Sequence, residues 1–117
     1  MFNKLQEIFE ELGYENLYFR QGSFAEDDPI PPTYFAFWNN GTSHDSHYDN
    51  NNRRVIWTWT IYFYTTDPQK LYITMEEFLV KAKEKGFILH DSGYDIPSDL
   101  PNYIGRMTQI DYIELLP

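Results

Sequence analysis

Hydrophobic and polar positions alternate most strictly between Arg53 and Pro68. The odd positions Val55, Trp57, Trp59, Ile61 and Phe63 are large and apolar, while the even ones carry Thr58, Thr60, Tyr62 and Tyr64. That period predicts a central strand with one core face and one amphipathic face. Each indole or phenyl ring on the core face buries on the order of 150–250 Å², so this face is the largest single source of hydrophobic stabilisation. Helical spacing flanks the strand. Phe2, Leu5, Ile8, Phe9 and Leu12 recur at helical intervals, with Glu7, Glu10 and Glu11 opposite and Gly13 as a stop, predicting a helix over residues 2–12. Asp67-Pro68 predicts a second helix start, with Asp as N-cap and Pro at the first helical position. Leu71, Met75, Phe78, Leu79 and Ala82 form its buried stripe, and Lys81, Lys83 and Lys85 precede the Gly86 stop, giving a helix over 68–85.

Residues 15–23 predict a short strand ending in a glycine turn. They also resemble a protease-tag site with Arg20 inserted, but they follow a well-patterned helix and are read as native. Residues 25–32, acidic and proline-rich, predict an extended connection. Thr33 to Asn39 is a strand apolar on both faces, which implies a sheet covered on both sides or a neighbouring subunit over one of them. Residues 39–52 read as a long polar loop, either functional or mobile, 87–89 as a short strand and 91–105 as a turn-rich connection. In the last strand, 106–115, Ile110 and Tyr112 fall on one face and Met107, Ile113 and Leu115 on the other, predicting a bulge or a change of buried face. The expected fold is α+β, in the order α-β-β-β-α-β-β. A single antiparallel β-sheet of four to five strands carries two helices packed on one face.

A length of 117 residues fits a single domain spanning 1–117. The net charge of −9 argues against binding nucleic acid by phosphate neutralisation, so no sequence-specific nucleic-acid partner is expected. The absence of cysteine excludes disulfides, a thiol nucleophile and Cys-ligated zinc. No apolar run approaches membrane-spanning length and the N-terminus is amphipathic and acidic, so the expectation is no membrane partner and synthesis in the cytoplasm. Aromatic residues reach 19%, with ten tyrosines. They either fill a thin core or line a protein interface. The interface candidates are Tyr34, Phe35, Phe37, Trp38, Tyr48, Tyr62, Tyr64, Tyr94 and Tyr103.

Candidate chemistry is sparse. His44, Asp45, His47 and Asp49 form the one cluster with metal-ligand character, but a loop gives two imidazoles no fixed face, no third ligand is tied to a rigid element, and the residues read as a solvated hairpin loop rich in turn formers. Asp91, Asp95 and Asp99 recur every four residues, yet Gly93 and Pro97 prevent a helix from aligning them. No phosphate-cradling loop or nucleophile elbow is present, so neither an enzyme, a metal nor a cofactor is expected. Arg20 and Arg106 each border a strand. A guanidinium near Asp95 or Asp99 would form a bidentate pair pinning the 91–105 segment to the sheet, against the alternative of a surface pair worth roughly 0–1 kcal/mol.

Several short runs occur together and in order: Phe19-Arg20-Gln21-Gly22-Ser23, Phe37-Trp38-Asn39, Tyr48-Asp49-Asn50, Phe63-Tyr64-Thr65-Thr66-Asp67-Pro68, Lys85-Gly86-Phe87-Ile88, and Gly93, Asp95, Ser98-Asp99, Pro101, Gly105-Arg106. With them the chain resembles small proteins from the tail modules of long-tailed phages and prophages of Gram-positive bacteria, similar to tail terminator or tail completion proteins. Leu100 and Asn102-Tyr103 depart from the Thr-His-type segment associated with that loop. The resemblance implies an α+β domain without catalytic residues that assembles as a hexameric ring. Such a ring would cap the tail tube, end its polymerisation and join the tail to the head. The partners implied are further copies of itself, the major tail tube protein and head–tail connector proteins, and the implied location is the head-proximal end of the virion tail. Open alternatives are a head–tail connector component, a monomeric ligand-binding module, and a small metal-dependent hydrolase using the His44–Asp49 loop.

Overall fold

Both neighbours of the strand Arg53–Thr65 pair with it over nearly its whole length, and the remaining elements are arranged around that three-stranded unit. The computed structural model describes residues 2–21, 23, 29–46 and 53–116. Along the chain the elements are α1 (Phe2–Glu11), β1 (Tyr18–Arg20), β2 (Thr33–Ser46), β3 (Arg53–Thr65), α2 (Pro68–Glu84), β4 (Ile88–Leu89), β5 (Tyr94–Ile96) and β6 (Ile104–Leu116). They form a six-stranded sheet in the order β1-β2-β3-β6-β4, with β5 also paired to β6. The fold is α+β, with two helices and a mixed, open sheet.

Two details differ from the expectation. The sheet has six strands, because Tyr94–Ile96 pairs with Gly105–Met107 inside what reads as a turn-rich connection. It is also mixed, because β1 runs parallel to β2 with Tyr18 opposite Phe35 and Arg20 opposite Phe37. The segment between these two strands is long enough to return the chain to the starting end of the sheet, which parallel pairing requires. Tyr18 stacks on Phe9 at 4.9 Å, so the tag-like run is built into the core.

The helix ends follow their sequence signals. Asp67 caps α2 by accepting the Gln69 amide at 3.0 Å, with Pro68 in the first turn. At the far end Phe87 N–H reaches the Ala82 carbonyl at 2.9 Å and Gly86 N–H reaches Lys83 at 3.1 Å, with Gly86 at φ 94°. That pair of bonds is a Schellman stop.

Both helices pack on one face. Leu5, Ile8 and Phe9 of α1 and Leu71, Met75, Phe78, Leu79 and Ala82 of α2 share a core with Phe35, Phe37, Trp59, Ile61, Phe63 and Ile110. A smaller cluster on the opposite face holds Tyr34, Ala36 and Tyr64. The last strand pairs with β3 from Ile104 to Leu116 without a register shift, so the bulge expected there is absent. The irregularity lies instead in β2, between Asn39 and Gly41. Nor does the buried face change, since Ile110 is buried while Ile113 and Leu115 stay exposed. Because β2 continues to Ser46, most of the predicted 39–52 loop is strand, and residues 47–52 of it lie outside the described set.

Candidate interaction surface

The interface candidates separate by strand parity. Phe35 and Phe37 occupy the helix side of β2 and are buried by the chain's own helices, so the expectation that they meet a neighbour is corrected. The rings of Phe9, Tyr14, Phe63 and Phe78 all lie within 5.5 Å of Phe35. Tyr34 and Tyr64 face the other way and are also buried, by Tyr103 and the segment before β2. Tyr103 donates its hydroxyl to the Pro31 carbonyl at 2.7 Å and sets its ring 6.1 Å from Tyr34. This end of the two-sided apolar strand is therefore covered on its second side by the chain's own loop. Tyr48 lies outside the described residues.

Burial pushes the Tyr34 phenol up to about 12, helped by the neighbouring Tyr64 and Tyr103 hydroxyls. A phenol whose folded pKa is raised contributes stability that is complete below its unfolded pKa and is lost as pH rises through the folded value. Chemical denaturation between about pH 9 and 12 is therefore expected to show a steep alkaline loss that Tyr34→Phe flattens. An unchanged alkaline limb in that variant would contradict the burial argument.

Away from Tyr34 the cover stops. Level with one another across the sheet lie Trp38, Thr60 and Gln109, then Tyr62, Met107 and Tyr94, then Thr58, Asp111 and Ile88. Trp38 and Tyr94 are about half exposed, at 50% and 48%, while Tyr62 and Met107 are partly buried. Ile88, Ile113 and Leu115 are exposed on the same face. Polar groups interleave with them. Thr60 Oγ1 is hydrogen-bonded to Asn40 Oδ1 and accepts from Gln109 Nε2 at 3.3 Å. His90 Nε2 lies 2.9 Å from Asp111 Oδ1. Exposed aromatic and branched side chains interleaved with polar groups have the composition of a protein-binding surface.

Arg106 organises the rim. Its Nη1 lies 2.6 Å from Asp95 Oδ1, its Nη2 donates to the Gly93 carbonyl at 2.9 Å, and its guanidinium stands 4.9 Å from the centre of the Tyr72 ring. Tyr72 donates its hydroxyl to Asp95 Oδ2 at 2.8 Å. That bond, and then the one from Arg106, hold the Asp95 carboxyl below its usual range. The pair is thus not bidentate on the carboxylate: the guanidinium fork is divided between a side chain and a backbone carbonyl. Arg20 and Asp99 make no ion pair among the described residues, although both line a cleft of about 140 Å³ with Tyr34 and Tyr64. Sequence reasoning missed Tyr72, whose only signal was an aromatic residue on the polar side of α2. Arg106→Lys is expected to lower stability by about 1 kcal/mol, because a single ammonium cannot span both acceptors and stack on the ring. An unchanged thermal midpoint would contradict the pinning role.

His44 and Asp45 are consecutive residues of β2, while His47 and Asp49 lie outside the described residues. Among the described residues no group of three or more His, Asp or Glu side chains is arranged to hold a metal ion. No described helix is long and apolar enough to cross a membrane. No protein-family model matches the chain, and no curated protein matches it.

Proposed function

We propose that this chain is a virion assembly protein of a long-tailed phage, a tail terminator that caps the tail tube as a ring of identical subunits, ends its polymerisation and joins the tail to the head. The observation that carries the reading is the one-sided covering of the sheet. Both helices lie on one face, and Trp38, Tyr94, Ile88, Ile113 and Leu115 are left exposed on the other. A subunit that docks on copies of itself and on a tube needs apolar surface beyond its own core. The mechanism is steric: one surface of the ring matches the last tube ring, while the outer surface does not match a tube subunit and growth stops. The net charge of −9 suits a ring through which DNA passes without sticking, since like charge removes the counterion-release driving force.

Electron microscopy of particles from a phage lacking this protein tests the role. Overlong, headless tubes of variable length are the expected result. Tails of normal length that fail to attach to heads would move the assignment to a head–tail connector, and normal infectious virions would overturn both.

A further inference from the structure

The three long strands extend beyond their short neighbours, leaving two open edges. β1 pairs with β2 only at Phe35–Phe37, and β4 and β5 reach along β6 no further than Asp111. Past those points, the outer edges of β2 and β6 carry no further strand among the described residues. On β6, His90 N–H bonds to the Gln109 carbonyl on the outer side, so by the two-residue period Ile113 and Leu115 also direct their backbone groups outward. On β2 the outward residues are Phe35 and Phe37 before the irregularity, and Thr42 and His44 after it. Soluble proteins protect such edges with charged side chains, above all lysine, with proline, with bulges or with a covering element. Neither lysine nor proline occurs in 42–46 or 111–116, and Ile113 and Leu115 are exposed there.

We propose that a second copy of this chain continues the sheet, the outer edge of β6 in one copy lying against the outer edge of β2 in the next. The choice of a second copy rests on the self-assembling role proposed above. The choice of edges rests on charge and direction. Beyond β4 the edge of β6 carries one acid, Glu114, so β6 against β6 would bring two glutamates to one seam. Residues 42–46 contain one aspartate and one histidine, and Asp45 and Ser46 are opposite Arg54 and Arg53 on β3, so the edge of β2 adds no net negative charge to the seam. Both β2 and β6 run antiparallel to β3 and therefore parallel to each other. Copies set side by side in one orientation then meet as parallel strands, whose slanted hydrogen bonds use the outward groups of both edges. The contact is head-to-tail and generates a ring when the rotation closes.

The cysteine-free sequence makes the test direct. Ser43 and Ile113 are level across β3, each opposite Ile56. Ser43→Cys, labelled with ¹⁵N, is mixed with unlabelled Ile113→Cys and oxidised, and the dimers are identified by mass spectrometry. A chain with one thiol cannot bridge to itself. Thiols held side by side react as if at millimolar concentration, so at micromolar protein mixed dimers should exceed those of an exposed Glu84→Cys control by roughly a hundredfold or more. Asp45→Cys with Leu115→Cys, also level, repeats the test should the first pair fold poorly. Predominant Ile113→Cys self-dimers would overturn the proposal in favour of a twofold β6 contact, and yields equal to the control from both pairs would overturn it outright. The two proposals fail separately: absent cross-links with overlong tails remove only the pairing, and mixed cross-links with normal virions remove only the tail role.

Discussion

Phe35→Ala is expected to lower the unfolding free energy by about 3–5 kcal/mol, the cost of emptying a buried phenylalanine site that cannot fully collapse. Phe35 has no exposed surface and sits between both helices and the sheet, with Phe63 at 4.8 Å, Phe9 at 5.0 Å, Tyr14 at 5.1 Å and Phe78 at 5.5 Å. Removing its ring takes contacts from α1, β3 and α2 at once, so neighbouring rings cannot all move in together. A domain of this size has about 5–15 kcal/mol in total, which makes the loss a large fraction of its stability. Urea titration at low protein concentration measures it through the midpoint at constant slope. The result also separates two roles for the residue. An aromatic residue reserved for a neighbour would be exposed in the isolated chain and its loss would move the midpoint by no more than about 0.5 kcal/mol.

The misplacement of Phe35 and Phe37 shows what periodicity carries and what it does not. Alternation correctly divides β3, because its core face holds Trp59, Ile61 and Phe63 and its other face carries hydroxyls. On β2 both faces are apolar between Tyr34 and Trp38, so alternation cannot say which face the helices take. Pairing decides it: Phe35 is opposite Phe63 and Phe37 opposite Ile61, which ties them to the helix side, while Tyr34 is opposite Tyr64. Local capping chemistry, by contrast, was fully legible, since Asp67-Pro68 and Gly86 act through bonds within a few residues.

Elements held by distant partners were the least legible. β5 is three residues long, and its position depends on the Arg106 fork and the Tyr72 hydroxyl meeting at Asp95. Arg106 could be singled out because it borders a strand in an acidic chain, but nothing local pairs it with Asp95 rather than Asp99, eleven and seven residues away. The strand character of 40–46 was hidden for a related reason. Asn39-Asn40-Gly41 is a strong turn signal, yet here it marks an irregularity, with the Gly41 amide bonded to the Asn39 side chain at 2.9 Å and pairing to β3 resuming beyond it. The exposed row of Trp38, Tyr94, Ile113 and Leu115 likewise becomes visible as one surface only when register places three separate segments on one face.

Gly105→Ala is expected to destabilise the chain by about 1–3 kcal/mol, although it adds one methyl group to a strand, where alanine is ordinarily no worse than glycine. The backbone there is not left-handed, so the cost is one of space. A Cβ on Gly105 would stand 2.9 Å from two ring carbons of Tyr64 and 3.0 Å from Ile96 Cγ1, inside contact distance on two sides. Gly105 is opposite Tyr64 on one flank and Ile96 on the other, so it lets the Tyr64 ring lie down across β6 and join Tyr34 beneath Tyr103. The penalty therefore belongs to the pair. Placing Gly105→Ala in a Tyr64→Ala background should then shrink its cost, with a coupling of about 0.5–3 kcal/mol in a double-mutant cycle. Equal costs in both backgrounds would mean that Tyr64 is not the obstacle, and the need for glycine where the chain closes its own loop over the sheet would have to come from Ile96 instead.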